Sequence, residues 1–310
     1  MKYRLAPTNY EEWLQDRHDN PSIGASMSSS ILGYNPWQSA VDVWDQLLHP
    51  NGGIDDNLAL YLGREMEPIV KKLFMDKTGL KVLNDNKIRI DDEYFFLTTN
   101  LDGVVVGEGI PVEYKTTAKP WDGDIPDHYF VQLQHQMMVT ESPSIYYCSL
   151  SMGYKKQLVV EKYDRNDDFI ADMRSSLITF WEENVVKGIP PEPKSINDAK
   201  KLYNEVDPES IATGSKDDCS VVTNLRQLKI QKADIDKQVN EAQLELMKVM
   251  GDKEILVNQS GFELATWKKT KDSEYLDTKI LAEEQPDIYN KYLKTRNGFR
   301  RFVLKKEENV

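Results

Sequence analysis

Two short stretches carry the residues best suited to chemistry. The first is Leu101-Asp102-Gly103-Val104-Val105-Val106, and after a turn comes Pro111-Val112-Glu113-Tyr114-Lys115-Thr116. Side chains alternate faces on a strand, so Glu113 and Lys115 project together, and a hairpin places Asp102 beside them. Two carboxylates and a lysine make a set for phosphodiester hydrolysis. The carboxylates hold Mg²⁺ through oxygen, and the metal polarises the phosphate and lowers the pKa of a bound water. The lysine positions that water or stabilises developing charge. The bland alternative is an acidic hairpin with a surface Glu-x-Lys pair, and the D…E-x-K pattern alone is a weak signal.

Other segments strengthen the catalytic reading. The clearest helix is expected over Tyr61–Lys77, where Met66, Ile69, Val70, Leu73 and Phe74 form one apolar face and Gly79 ends it. Glu67 sits at the edge of that face. It can join a metal site, or be a helix-start glutamate favoured by the dipole. A second helix, expected over Ile125–Thr140, carries Tyr129, Gln132 and Gln136 on one stripe, opposite Phe130 and Leu133.

The elements that must position these groups follow from spacing. Helices are expected at Pro7–Arg17, Ser26–Leu32 and Ser39–Leu48, ahead of the Glu67 helix. Strands are expected at Lys81–Leu83, Ile88–Asp91, Tyr94–Thr98, Asp102–Val106, Ile110–Thr116, Ser144–Leu150 and Lys155–Lys162, with a turn at Glu108-Gly109. A helix over Asp167–Val186 closes the region. Strands with helices before and after predict an α/β layered core.

Gly188-Ile189-Pro190-Pro191-Glu192-Pro193 reads as a stiff linker. The expected organisation is a core over 1–193, a polar, loosely packed linker over 194–216, and a smaller α+β extension over 217–310. In the extension Leu225, Leu228, Lys232, Ile235, Val239, Ala242, Leu246 and Val249 form a heptad seam. One helix cannot satisfy such a seam, so it docks on its own domain or on a partner. A hairpin of Glu254–Asn258 with Phe262–Lys268, a helical stretch Tyr275–Leu293 broken near Pro286, and a last strand Arg300–Leu304 complete it. Lys268, Lys269 and Lys271 beside Trp267, and Arg300-Arg301 with Lys305-Lys306, either touch DNA phosphates or form solvated faces.

Composition sets the outer limits. The 310 residues include 39 Lys plus Arg against 51 Asp plus Glu, a net charge of −12. With 40% hydrophobic and 29% charged residues, the chain belongs with folded proteins rather than disordered ones. No apolar run approaches the roughly 20 residues that span a bilayer. No apolar stretch follows Met1-Lys2-Tyr3-Arg4, so a secretory signal is not expected and a cytoplasmic location is. Two cysteines, Cys148 and Cys219, exclude a disulfide scaffold and a four-cysteine metal centre. Residues 217–310 hold 17 basic and 17 acidic residues, so the acidic excess lies wholly in 1–216. Such a balance argues against a protein that coats DNA with positive charge, while leaving room for a local basic channel.

Four blocks now stand in order across residues 10–165: Trp13, Arg17 and Ile23-Gly24-Ala25-Ser26 with Ile31-Leu32-Gly33; Gly63 to Phe74; Asp102-Gly103 with Glu113-Tyr114-Lys115; and Tyr129 to Thr140. The ordered set resembles the viral-recombinase exonucleases of the YqaJ and phage lambda exonuclease group, within the PD-(D/E)xK nuclease superfamily. The resemblance implies a restriction-endonuclease-like core, a mixed central sheet flanked by helices. It implies that Asp102 and Glu113 hold Mg²⁺ (Mn²⁺ as substitute), with the carbonyl of Tyr114 as a further ligand and Glu67 at the metal or its water. Lys115 then assists the attacking water, and Gln132 and Tyr129 complete the site around the scissile phosphate. Arg17 and Ser26 bind a terminal 5′-phosphate, with Asn100 placed for a similar contact. There are departures. Leu101 stands where the family has proline, and two extra residues separate Arg17 from Ile23. Residues 18–63 contain no Lys or Arg, so the family's second end-binding arginine has no counterpart there.

The function so implied is a Mg²⁺-dependent 5′-to-3′ exonuclease on linear duplex DNA. It leaves 3′ single strands for an annealing protein in phage-type recombination, and works as a homo-oligomer, a trimer by resemblance. Two alternatives stand beside it. One is a structure-selective repair endonuclease of the RecB kind; the other is a non-catalytic recombination scaffold that keeps the fold.

Overall fold

A computed structural model describes residues 2–7, 9–50, 58–206, 209–295 and 298–305. Thr8, inside the first expected helix, and Lys306, in the last basic cluster, lie outside the described residues. The chain divides into two units, Met1–Tyr203 and Asn204–Val310.

The first unit is a mixed α/β layer built in this order: β1 (Lys2–Leu5), α1 (Tyr10–Asp19), β2 (Ile23–Gly24), α2 (Ala25–Ile31), α3 (Ala40–Leu48), α4 (Leu58–Thr78), β3 (Val82–Ile90), β4 (Leu97–Val105), β5 (Pro111–Thr117), α5 (Asp127–Thr140), β6 (Ser144–Ser151), β7 (Gln157–Asp164), α6 (Asp167–Thr179) and α7 (Ile196–Leu202). The sheet order is β1-β3-β4-β5-β6-β7, with β2 added on β4. Most neighbours are antiparallel; β5–β6 and β2–β4 are parallel. The parallel β5–β6 pair requires a crossover, and α5 is that crossover.

Alternation on β5 separates two cores. Val112 and Tyr114 pack with Val70 and Phe74 of α4, Val82, Val105 and Cys148. On the other side Leu133 and Met137 of α5 pack with Ile23, Leu97, Ile145, Met173 and Leu177. Glu113 and Lys115 therefore face α5. Gly103 next to Asp102 is fixed by space: a Cβ there would lie 2.4 Å from Val82 Cγ1.

Several elements differ from expectation. The separate strand runs merge into two nine-residue strands, β3 and β4. Tyr94 leaves the strand for a turn, because Asp91 Oδ1 accepts the N–H groups of Glu93 and Tyr94. The first helix starts at Tyr10, capped by Asn9, which accepts from Glu12 N. Helix α6 passes into a π-helical turn over Phe180–Val186. The stretch expected to be loosely packed instead holds α7. Its buried Asp198 accepts from Ser39 Oγ at 2.7 Å and from the N–H groups of Lys194 and Ser195.

The second unit holds α8 (Lys216–Met250), a hairpin of β8 (Ile255–Val257) and β9 (Glu263–Thr266), α9 (Thr278–Glu284) and α10 (Pro286–Tyr292). Seam residues Leu228, Ile235, Val239, Leu246 and Val249 are exposed. The last strand expected at Arg300–Leu304 does not form; the segment pairs in no ladder. A short apolar run becomes a strand only where it actually pairs with a neighbour. Among the described residues no helix is long and apolar enough to cross a membrane.

Candidate active site

Glu113 is the centre of the arrangement. It is 3% exposed, and both carboxylate oxygens are engaged. Oε1 accepts from Lys115 Nζ and from Gln132 Nε2 at 2.6 Å. Oε2 accepts from Gln136 Nε2, also at 2.6 Å. The two glutamines sit four residues apart on α5 and so share one helix face. That face meets the polar side of β5 because the apolar residues of α5 take the core side.

Asp102 joins from β4. Its Oδ2 accepts the N–H of Tyr114 at 2.7 Å, which ties the first carboxylate to the strand carrying the second. The Tyr114 ring lies in the opposite core, 6.2 Å from the ring of Phe74. Asn100 O accepts a second, longer bond from Gln136 at 3.3 Å. Lys115 Nζ lies 5.2 Å from the centre of the Tyr129 ring.

The electrostatics show a shortage of positive charge. Burial, then the charge of Glu113, pushes the Asp102 carboxyl well above its ordinary range. Burial and then Glu113 also push Glu67 upward, while Lys115 and Lys71 oppose it. Burial alone would lower the Lys115 ammonium, but Glu113 and Asp102 outweigh it and hold it firmly protonated. One lysine thus faces three carboxyl groups. The donor set is all oxygen and net negative, which suits a hard divalent cation. Among the described residues no three His, Cys, Asp or Glu side chains form a ready-made metal cage. A cation bound here would be held by the Asp102–Glu113 pair.

Asp102, Glu113, Lys115 and Gln132 line a cleft of about 550 Å³. Arg17, Ser26 and Asn100 line the same cleft, so the structure brings the expected end-binding residues to the expected reactive ones. Arg17 is stacked on Trp13, 4.5 Å from its ring centre. Lys268 and Lys269 follow β9 in the second unit, where both are exposed.

Two residues add to this set. Gln136 lies on the polar stripe of α5, and the fold brings it onto Glu113. Arg4 of β1 also lines the cleft, where Asp16 accepts from its Nε and Nη2 at 3.0 Å each. Residues 18–63 hold no arginine, whereas the sheet edge brings Arg4 to the cleft from the N-terminus.

A match to the YqaJ-like viral recombinase domain covers residues 12–143. Over 310 residues the chain is 31% identical to the uncharacterized protein YqaJ of Bacillus subtilis strain 168, spanning 95% of this chain and 94% of the relative. The chain belongs to the YqaJ-like viral recombinase family. Among solved structures it is similar to an alkaline exonuclease from Laribacter hongkongensis, with 20% identity, TM-score 0.48, and coverage of 57% of this chain and 94% of that one. It is also similar to a phage-related exonuclease from Haemophilus somnus 129PT, with 14% identity, TM-score 0.41, and coverage of 56% and 100%. The YqaJ domain match spans Arg17, the Glu67 helix, the Asp102–Lys115 hairpin and α5 with both glutamines.

Proposed function

We propose that the protein is a metal-dependent nuclease that digests one strand of linear duplex DNA from its 5′ end. The observation that carries this reading is the doubly held Glu113 beside Asp102 and Lys115, in a cleft that also presents Arg17, Arg4 and Ser26. Membership in a viral recombinase family supports DNA as the substrate. On this reading the 3′ strand left behind serves a single-strand annealing protein, and the enzyme works as a homo-oligomer.

The residues divide the work as follows. Asp102 and Glu113 would hold the cation, Mg²⁺ with Mn²⁺ as substitute, with the Tyr114 carbonyl and Glu67 as further candidate ligands. A bound divalent cation polarises the scissile phosphate and lowers the pKa of a water. Lys115 keeps its proton and donates toward the attacking water or the charge that grows on phosphate oxygen. Gln132 and Gln136 fix the Glu113 carboxylate in one rotamer, so it is not free to swing toward Lys115 alone. Arg17 and Arg4 attract the terminal phosphate and set which bond reaches Lys115.

The test uses purified full-length protein, linear duplex and Mg²⁺. Acid-soluble nucleotide is expected from linear DNA, none from closed circles, and a loss of about 10²-fold or more in Lys115→Ala. Cutting of closed circles favours the RecB-like endonuclease. No release from any DNA, with no Mg²⁺ binding by calorimetry, favours a scaffold.

A further inference from the structure

The loop after α2 presents a large aromatic side chain to solvent. Trp37 is 76% exposed, yet its backbone is held: Asn35 Oδ1 accepts from Trp37 N at 2.9 Å and from Gln38 N at 3.3 Å. The loop is anchored again by Tyr34 N and Asn35 N donating to Ser29 O. A single exposed apolar residue is ordinary. This one begins a row. The Trp37 ring meets His128 edge-on at 5.0 Å, His128 lies 4.1 Å from Tyr129, and Tyr129 lies 5.2 Å from Lys115 Nζ.

The row therefore runs from solvent to the lysine of the candidate active site. The His128 Nε2 is shielded and without a hydrogen-bond partner among the described residues. Its ring is placed by its aromatic neighbours. Burial, then the Lys115 charge, pushes the imidazole pKa down, against the pull of Asp127. A neutral ring between two others presents a π-surface rather than a charge.

We propose that Trp37, His128 and Tyr129 form a stacking strip for an unpaired base of the DNA strand whose phosphate lies at Lys115. The inference rests on the nuclease reading and names the form of substrate at the site. Aromatic faces take any base, and the adjoining cation takes the phosphate, so the strip accepts single-stranded nucleotides without regard to sequence. Duplex offers its bases only edge-on and stacked, so the strip selects a frayed or unpaired end. Trp37 supplies the outer platform at small entropic cost, because its loop is already fixed.

The test is direct binding by the full-length protein, with Ca²⁺ replacing Mg²⁺ to hold back turnover. The probes are 5′-phosphorylated single-stranded oligonucleotides carrying 2-aminopurine at one of the first three positions. Stacking is expected to quench at least one of them on wild-type protein. Trp37→Ala should bind about tenfold more weakly and lose that quench, while Trp37→Phe keeps binding within about threefold. The exposure of Trp37 leaves the fold untouched by either change. Equal affinity and equal quenching in Trp37→Ala overturn the strip and leave the nuclease reading standing. Absence of any oligonucleotide binding by wild-type protein also overturns the strip, while the nuclease reading is judged separately on linear duplex.

Discussion

Gln136 of α5 donates to Glu113 Oε2 at 2.6 Å, across the boundary between helix and sheet. Gln132, one turn earlier, takes the other oxygen. The helix that crosses from β5 to β6 thus also fixes the orientation of the central carboxylate. Replacing Gln136 by Leu frees Oε2 and leaves Lys115 to draw the carboxylate away. Metal affinity is expected to fall about 10–100-fold, the usual cost of losing a partner behind a metal ligand. Titrating activity against Mg²⁺ reads it as a rise in half-saturation with a smaller change at saturation.

Asp102 is a liability in the metal-free fold. Its carboxyl is raised by burial and by Glu113, so its charge opposes folding at neutral pH. Asp102→Asn keeps an oxygen for Tyr114 N and removes the charge. It should abolish nuclease activity and raise the melting temperature measured in EDTA. An unchanged or lower melting temperature counts against the charge shortage described above.

His135 gives the fold a pH dependence of its own. The ring is fully buried, with Nδ1 2.6 Å from Ser28 Oγ and Nε2 3.0 Å from Thr98 O. Burial pushes its pKa down to about 4 from an ordinary 6.5. The unfolded chain therefore binds a proton that the native state refuses between those values. Stability is full above pH 6.5, falls as pH drops through that window, and levels below about 4. The loss is roughly 3 kcal/mol at the bottom. Urea unfolding at pH 7, 5.5 and 4.5 measures it, and His135→Gln should flatten the slope.

Arg4 and Arg17 line one cleft from different elements. If they share the end phosphate, each alanine substitution should reduce the preference for 5′-phosphorylated over 5′-hydroxyl duplex about tenfold, with the rate on 5′-hydroxyl ends little changed. Arg4→Ala also removes the bidentate pair with Asp16, so its folding is checked by circular dichroism.

Local periodicity made part of this legible in advance. Alternation put Glu113 and Lys115 on one face, and the i, i+4 spacing put Gln132 and Gln136 on another; the fold brings the two faces together. Arg4 was not legible, because a four-residue edge strand has no pattern of its own and forms only by pairing with β3, some 80 residues away. The same dependence on partners explains the opposite error at Arg300–Leu304, where an apolar run is present but the segment pairs with no strand. The buried Asp198 of α7 escaped notice because its reason for burial, the Ser39 hydroxyl, lies 159 residues distant. The row from Trp37 to Lys115 joins a loop, a helix and a strand, and no local spacing records it.

The most direct measurement follows the two strands of one linear duplex separately. Each strand is labelled at its interior and the ends carry 5′-phosphate. With Mg²⁺ and wild-type protein, the strand attacked from its 5′ end should shorten progressively while its complement stays intact as a 3′ overhang. Lys115→Ala should leave both strands whole. Loss from 3′ ends, equal loss of both strands at internal positions, or undiminished shortening by Lys115→Ala would contradict the account.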